Sequence, residues 1–346
     1  MIQLRRSRIT AGLDIGSGFV KLVAIDHARA QPEIVHVSTT PLVADAIVDG
    51  EVMDPVLVAD TLRSVFDVAG LKRPEVVAAV GGHDVIIKKI QMDRMSGTDA
   101  REVIRWEAQQ HVPFDMANVQ LDFQILDPAG TGPQMSVLLV AAKRELVENR
   151  VSLLEDAGIS VNVIDVVAFA LHNAFEQSYP EAQTGSVALV NVGHETTNLN
   201  LLENGVPVLV RDIPFGSRRI REALQRERGL TADKAEQIIQ GRDSTTELGT
   251  LVVDRAEELA VGIERAMAFV AAQSTGEGIG RIYLSGGGAR VPGMVDALAA
   301  RLGIRTELAN PLQRVAVRPE VMQAVAIDEV APMLMLAVGL ALRTPR

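Results

Sequence analysis

Two short segments of this chain repeat the same order of residue types 177 residues apart. The first is DIGSGFVK at residues 14–21, and the second is NVGHETTN at residues 191–198. Each follows an apolar run typical of a strand and carries the glycine of a tight turn that leads into a second strand. The repeat therefore predicts two similar α/β lobes, each beginning with a hairpin whose turn faces a shared cleft.

The first turn has the residue types of a phosphate-binding site. Gly16 and Gly18 let the backbone approach an anion closely, and consecutive amides in such a turn bind phosphate oxygens. Ser17 adds a hydroxyl and Lys21 a positive charge, while Asp14 at the strand end is suited to hold magnesium through water. A single D-x-G-S-G segment is usually an ordinary hairpin turn, so the prediction of a phosphate site depends on the repeat.

A third glycine run, SGGG at residues 285–288, lies between a predicted strand and a predicted helix. Its glycines would let the flat face of a purine pass close to the backbone; they are Gly286, Gly287 and Gly288. A simple turn from strand to helix is the alternative. Together with the two repeated turns, the run favours a nucleotide site.

The composition excludes several other classes of protein. The chain has 346 residues, and its 34 Lys and Arg against 44 Asp and Glu argue against nucleic-acid binding and favour a basic partner. It has no cysteine, and no pair of its six histidines has the spacing of a helical zinc site. The longest late apolar segment, residues 331–342, is shorter than the ~20 residues of a membrane span, so we expect a cytoplasmic protein.

The order of predicted elements divides the chain into four parts. A meander of strands and a helix beginning at Pro55 open the first lobe, and residues 84–164 follow as an insert of strand, helix, strand, strand and helix. Trp106 falls in the insert's helix, and we expect it to be buried, as large aromatic residues usually are. The predicted parts are the first lobe (9–83 and 165–185), the insert (84–164), the second lobe (186–215 and 281–346) and its helical subdomain (216–280).

These segments resemble known proteins in their residues and in their order. The two turns and the SGGG run resemble the phosphate and nucleotide loops of the actin and sugar-kinase superfamily. WEAQQHVPF with LDFQIL, LLVAAKRELVENRVSLLEDAG, RDIPFGSRRI and APMLMLAVGLALR resemble the PilM family of type IV pilus assembly proteins. The resemblance runs from Thr10 to Arg343 and implies an α/β, actin-like (ribonuclease H-like) fold of two lobes with an FtsA-type inserted subdomain.

The resemblance also implies that ATP and Mg²⁺ bind in the cleft, with Asp14 holding the metal through water. By motif it assigns Asn191, Gly193 and Thr197 to the second phosphate side. It assigns Glu236 to the ribose and residues 286–288 to the adenosine. Three residues depart from the superfamily pattern. Asn191 stands where an aspartate is usual, Val167 where a polar side chain would orient water, and Ile239 where a lysine is frequent. We therefore expect ATP binding with weak or absent hydrolysis and assign no catalytic residue.

As a PilM-like protein, the chain is expected to be an adaptor at the inner face of the inner membrane. The resemblance implies that it binds the N-terminal cytoplasmic peptide of the membrane protein PilN, and the insert's strand edges and WEAQQHVPF helix are the expected groove. Pilus motor ATPases, other platform proteins and a second copy of the chain are further candidate partners. An FtsA-like cell-division scaffold and a small-molecule kinase are the alternatives; the first lacks a C-terminal membrane helix here, and the second lacks a catalytic carboxylate in a recognisable context.

Overall fold

The structure is a computed structural model that describes residues 9–28, 31–72, 74–243, 248–272 and 278–343. The segments that precede and follow these ranges, including parts of the predicted helical subdomain and of the predicted second-lobe tail, lie outside the described residues. Within the described ranges, no helix is both long and apolar enough to cross a bilayer.

Strands and helices alternate through most of the chain. The strands are β1 Ile9–Ile15, β2 Phe19–Asp26, β3 Glu33–Pro41, β4 Ile47–Val48, β5 Glu51–Val52, β6 Glu75–Val80, β7 Val85–Asp93, β8 Val119–Ile125, β9 Gln134–Lys143, β10 Val161–Val166, β11 Ser186–Val192, β12 Thr197–Glu203, β13 Val206–Ile213, β14 Arg281–Ser285, β15 Arg305–Leu308 and β16 Ala316–Val317. The helices are α1 Pro55–Ala69, α2 Gly97–Gln109, α3 Arg144–Asp156, α4 Val167–Ser178, α5 Ser217–Arg228, α6 Ala232–Ile239, α7 Thr250–Ala271, α8 Met294–Leu302, α9 Pro319–Ala324, α10 Ile327–Val330 and α11 Met335–Ala341.

Each lobe is built on a sheet that begins with the predicted meander. The first sheet has the order β10-β6-β1-β2-β3-β16, and the second has the order β13-β12-β11-β14-β15. In both lobes the first strand pairs antiparallel with the second and parallel with a later strand, β6 or β14. Asp14 pairs with Lys21 across one hairpin, and Asn191 pairs with Asn198 across the other. The two repeated segments therefore occupy equivalent positions in two similar lobes.

Local sequence accounts for the ends of these elements. Asp54 caps α1 by accepting a 3.0 Å hydrogen bond from the Leu57 amide, and α1 ends at Gly70 in the left-handed conformation. In the second meander, Asn204 and Gly205 both have positive φ, which is the geometry of a tight turn between β12 and β13. The start of α1 at Pro55 agrees with the sequence analysis.

The insert carries a separate three-stranded sheet with the order β7-β9-β8. Along β9, Met135, Val137 and Leu139 alternate with side chains on the opposite face, and they pack against Ala100 and Ile104 of α2 in one apolar cluster. Helix α2 therefore covers one face of the insert sheet, and the other face is turned toward the first lobe.

Two of the expected subdomain boundaries differ from the structure. Helix α3 packs into the first-lobe core through Leu153 and Leu154, and β10 pairs with β6 in the first sheet, so residues 144–164 belong with the first lobe. The chain also returns to the first lobe near its end, because β16 pairs with β3 and α11 packs against α4 and β1. The residues from β16 onward were expected in the second lobe. Burial of long apolar runs is readable in a sequence, but the lobe that buries them is not.

Glycines allow the close approach of α11 to the first lobe. A Cβ atom at Gly339 would overlap the carbonyl oxygen of Ala170 in α4, and one at Gly12 in β1 would overlap the carbonyl oxygen of Ala337. The backbones of α11, α4 and β1 therefore touch where any larger residue would separate them.

Candidate nucleotide site between the lobes

A cavity of about 320 Å³ lies between the two lobes, and both repeated turns line it. Most of the predicted site residues are brought together there: Asp14, Gly16, Ser17, Gly18, Lys21, Asn191, Gly193, Glu236, Gly286 and Gly287. These residues come from the first turn, the second turn, α6 and the turn after β14. The structure thus places four segments that are distant in the sequence around one cleft.

The first turn presents a paired carboxylate and ammonium. The Gly16 amide donates a 3.1 Å hydrogen bond to the Phe19 carbonyl, which closes the turn between β1 and β2. At the base of the turn, Lys21 Nζ lies 2.6 Å from Asp14 Oδ2, and both side chains are mostly buried. The pair places one positive and one negative charge next to the turn amides, as a phosphate with a hydrated cation requires.

The second turn closes in the same way and touches the first. The Gly193 amide donates a 3.0 Å hydrogen bond to the Thr196 carbonyl. A Cβ atom at Gly18 would lie 2.8 Å from His194 Cγ, so the glycine of one turn makes room for the imidazole of the other. Burial lowers the pKa of His194, and its Nδ1 lies 3.3 Å from Ser217 Oγ. A neutral His194 therefore packs between the turns instead of adding positive charge.

Thr197 does not line the cavity, although the family motif assigns it to the phosphate side. It is 0% exposed, and its Oγ1 donates a 2.7 Å hydrogen bond to the Phe215 carbonyl. Thr197 is the first residue of β12 and pairs with Val192, so its side chain faces the interior. The preceding residue, Thr196, lines the cavity instead.

The glycines after β14 have different roles. Gly286 has φ +89°, and a Cβ atom there would lie 2.9 Å from Asn191 Oδ1 and would overlap the Val192 carbonyl. Gly287 lines the cavity. Gly288 does not line it; it is buried against the Val192 side chain and allows the turn to approach β11 closely. Of the three glycines expected at the adenosine, Gly286 and Gly287 line the cavity and Gly288 does not.

The three departures from the superfamily pattern also line the cleft. Val167, at the start of α4, and Ile239 present apolar side chains to the cavity. Glu236 lies beside Ile239, and its Oε1 accepts a 2.8 Å hydrogen bond from Gln240 Nε2. At Val167 the cleft is lined by an apolar side chain, whereas the superfamily pattern has a polar side chain at this position.

Asp212 is a cleft residue that the sequence analysis did not find. Asn191 Nδ2 donates to Asn198 Oδ1 at 3.2 Å, and Asn198 Nδ2 donates to Asp212 Oδ1 at 2.7 Å. Burial raises the pKa of Asp212, while hydrogen bonds from Asn198 and from the Gly82 amide of the first lobe act in the opposite direction. The carboxylate missing at position 191 is thus present two strands away, at the end of β13.

This set of groups fits a nucleotide with a hydrated metal ion. Turn amides and a lysine are groups of the kind that bind phosphate oxygens, and the glycines leave room for close approach. Among the described residues, no group of three or more His, Asp or Glu side chains forms a cage for a metal ion. A magnesium ion here would be bound mainly by phosphate and water, with Asp14 reaching it through water.

Solved structures share this fold over nearly its whole length. The PilM-PilN type IV pilus biogenesis complex superposes with a TM-score of 0.83 and 29% identity, covering 97% of this chain and 98% of that chain. The ethanolamine utilization protein EutJ from Carboxydothermus hydrogenoformans gives a TM-score of 0.58 at 16% identity, covering 96% and 89%. MreB5 of Spiroplasma citri, solved with ADP bound, gives 0.52 at 11%, covering 96% and 94%. The matches to EutJ and MreB5 are evidence of a shared fold alone. Together the three matches confirm the predicted actin-like α/β fold.

Sequence comparison leads to the same group of proteins. The cell division protein FtsA of Bacillus subtilis (strain 168) is 22% identical over 284 residues, which cover 74% of this chain. The match spans 61% of the length of that relative. The family model described as type IV pilus assembly protein PilM matches residues 12–345. Since that match takes in both lobes, the insert and the returning tail, the chain belongs to the PilM family of type IV pilus assembly proteins.

Proposed function

We propose that this protein is a nucleotide-binding adaptor of the type IV pilus assembly platform, holding ATP and Mg²⁺ between its lobes and the N-terminal peptide of PilN on its inserted subdomain. The observation that carries the proposal is the match to the PilM-PilN complex over 97% of the chain. The protein would be held at the inner face of the inner membrane by PilN, whose cytoplasmic tail supplies the membrane connection.

ATP is the proposed ligand because the cleft has both a phosphate end and a purine end. The two turns and Lys21 form the phosphate end, and Gly286 and Gly287 provide the flat backbone surface against which a purine would pack. Glu236 lines the same cavity, and its carboxylate would accept a hydrogen bond from a ribose hydroxyl. When bound, magnesium would neutralise phosphate charge in a protein whose net charge is -10.

We expect bound ATP to be hydrolysed slowly or not at all. Val167, at the start of α4, offers methyl groups that cannot orient an attacking water. The Asn191 amide is uncharged and would not help to hold the metal ion. Phosphate release by the purified protein should be near the background of buffer with ATP. Brisk release that disappears in Asp14→Ala would show that another cleft residue, with Asp212 the first candidate, orients the water.

A second cavity suits an extended peptide. This groove, with a volume of about 1240 Å³, lies between the insert sheet and the first lobe. Leu138 and Val140 of β9 form its floor on the insert side, and Phe169 of α4 lies on the other side. Strand β8 borders the groove and is the outer strand of its sheet, so one row of its backbone groups is free to pair with an added strand.

Helix α2 covers one face of the insert sheet, and the groove lies on the other face. Ala100, Ile104 and Ala108 of α2 are buried against the far face. We therefore propose the groove between β8 and α4 as the peptide site, in place of the expected groove between the strand edges and the WEAQQHVPF helix. Trp106, which was expected to be buried, is 71% exposed on α2. Within the described residues, the apolar surface offered to a peptide in the groove comes mainly from β9, β10 and α4.

Charge reversal in the groove should weaken binding of a basic PilN-like peptide by about 10-fold. The variant loses a carboxylate that attracts the peptide and gains an ammonium that repels it. Asp122 and Glu176 are suitable sites, since both line the groove, both are exposed, and neither is in an ion pair with another described residue. The measurement is a fluorescence-anisotropy titration of Asp122→Lys and Glu176→Lys against wild type.

Glu102→Lys provides the matched control, because Glu102 is an exposed carboxylate on α2 that does not line the groove. Its affinity for the peptide should equal that of wild type. Equal affinities in all three variants, or a loss in Glu102→Lys alone, would place the peptide elsewhere and overturn the groove assignment.

A further inference from the structure

We propose that Arg150 of α3 binds the terminal phosphate of the nucleotide, so that the helix between the two cavities distinguishes a nucleoside triphosphate from a diphosphate. The proposal rests on the nucleotide site proposed above and adds a phosphate ligand that lies outside every glycine turn. It also assigns a function to a helix that the sequence analysis placed in the insert and the structure places against the first lobe.

Helix α3 borders both cavities. Leu146 and Arg150, one helical turn apart, line the nucleotide cleft, and Val147 lines the peptide groove. The helix begins directly after β9 of the insert and ends with Leu153 and Leu154 buried in the first-lobe core. A contact made by Arg150 in the cleft therefore acts on an element that also forms a wall of the groove.

Arg150 is a partly buried cation that lines the cleft. Among the described residues it makes no hydrogen bond and no ion pair, whereas Lys21 is paired with Asp14 and the Arg290 guanidinium bonds to the Gln240 carbonyl. Arg242 also lines the cleft, but its side chain is exposed to solvent. A partly buried guanidinium whose N–H groups make no hydrogen bond to the protein is unfavourable, and phosphate oxygens would supply the missing acceptors.

The charge near Arg150 locates it at the phosphate end of the cleft. Burial lowers the pKa of Arg150, and the negative charge of Asp14, at the first turn, opposes that effect. The purine end is formed by Gly286 and Gly287 of the second lobe, where Arg290 is already bonded. Because Lys21 and the turn amides occupy one side of the phosphate chain, a planar guanidinium arriving from α3 is suited to two oxygens of the last phosphate.

The test is a calorimetric titration of the full chain with ATP and with ADP, each with magnesium. Wild type should bind ATP more tightly than ADP. Arg150→Gln should bind ATP about 10-fold more weakly or worse, since a charge-assisted bond is lost, while its affinity for ADP changes less than about twofold. Without nucleotide, the melting temperature of Arg150→Gln should be unchanged or higher, because a partly buried cation that makes no hydrogen bond to another described residue has been removed.

Arg144→Gln is the matched control: it removes the same charge from the first turn of α3, and Arg144 lines neither cavity. Hydrogen exchange adds a second readout, in which saturating ATP should protect α3 amides in wild type and in Arg144→Gln but less in Arg150→Gln. If wild type binds neither nucleotide, the proposed function fails together with this inference. If wild type binds ATP and Arg150→Gln binds it equally well, or loses ATP and ADP affinity alike, only the inference is overturned.

Discussion

Gly339→Ala will destabilise the folded protein by about 3 kcal/mol or more, because a Cβ atom at this position has no space. It would lie 2.6 Å from the carbonyl carbon of Ala170 and would overlap the oxygen of the same carbonyl. Both are backbone atoms of α4, which cannot rotate away as a side chain can. Relief requires α11 to move off α4, and all residues of α11 are buried there.

Urea unfolding followed by circular dichroism measures this effect as a shift of the midpoint. Gly97→Ala is the control: Gly97 is the first residue of α2, its Cβ atom would meet no atom within 4 Å, and the change should stay within about 0.5 kcal/mol. Gly12→Ala should resemble Gly339→Ala, because it presses on α11 from β1. Equal midpoints for Gly339→Ala and Gly97→Ala would show that α11 does not pack on the first lobe.

The repeat predicted the lobes well because hairpin geometry is local. A strand, a glycine turn and a second strand determine which residues pair, and Asp14 with Lys21 follows directly from that turn length. The subdomain boundaries were harder, because they depend on contacts between distant segments. Residues 331–342 are almost uniformly apolar, which indicates burial and carries no information about whether the first or the second lobe provides the other surface.

The candidate site shows the same division between local and distant information. Thr197, which the family motif assigns to the phosphate side, is bonded to the Phe215 carbonyl, and the adjacent Thr196 lines the cavity, because neighbouring residues along extended backbone point in opposite directions. Asp212 and Arg150 belong to no motif and reach the cleft only through the fold. In the segment RELVENRVSLLED, Arg150 is one of several charges at helical spacing, a pattern typical of a solvent-exposed face.

Lys21→Ala will weaken ATP binding by about 10- to 100-fold, the largest loss that we expect from one cleft side chain. Two effects act in the same direction. The ammonium that attracts phosphate is removed, and the Asp14 carboxylate, which has lost the ammonium 2.6 Å away, repels the same phosphate more strongly. ATP with magnesium should raise the melting temperature of wild type by mass action and raise that of Lys21→Ala much less at equal ligand concentration.

Destabilisation of the folded state must be separated from loss of the ligand contact, because Lys21→Ala also leaves a mostly buried carboxylate without its partner. The double variant Asp14→Asn with Lys21→Met removes both charges and should recover the melting temperature of the ligand-free protein. Its ATP affinity should stay low, since neither the phosphate contact nor the metal-bound water has been restored. Lys89→Ala, an exposed lysine on β7, should bind ATP as wild type does. If the double variant binds ATP as tightly as wild type, the Asp14 and Lys21 pair serves the stability of the first hairpin, and the phosphate site lies elsewhere in the cleft.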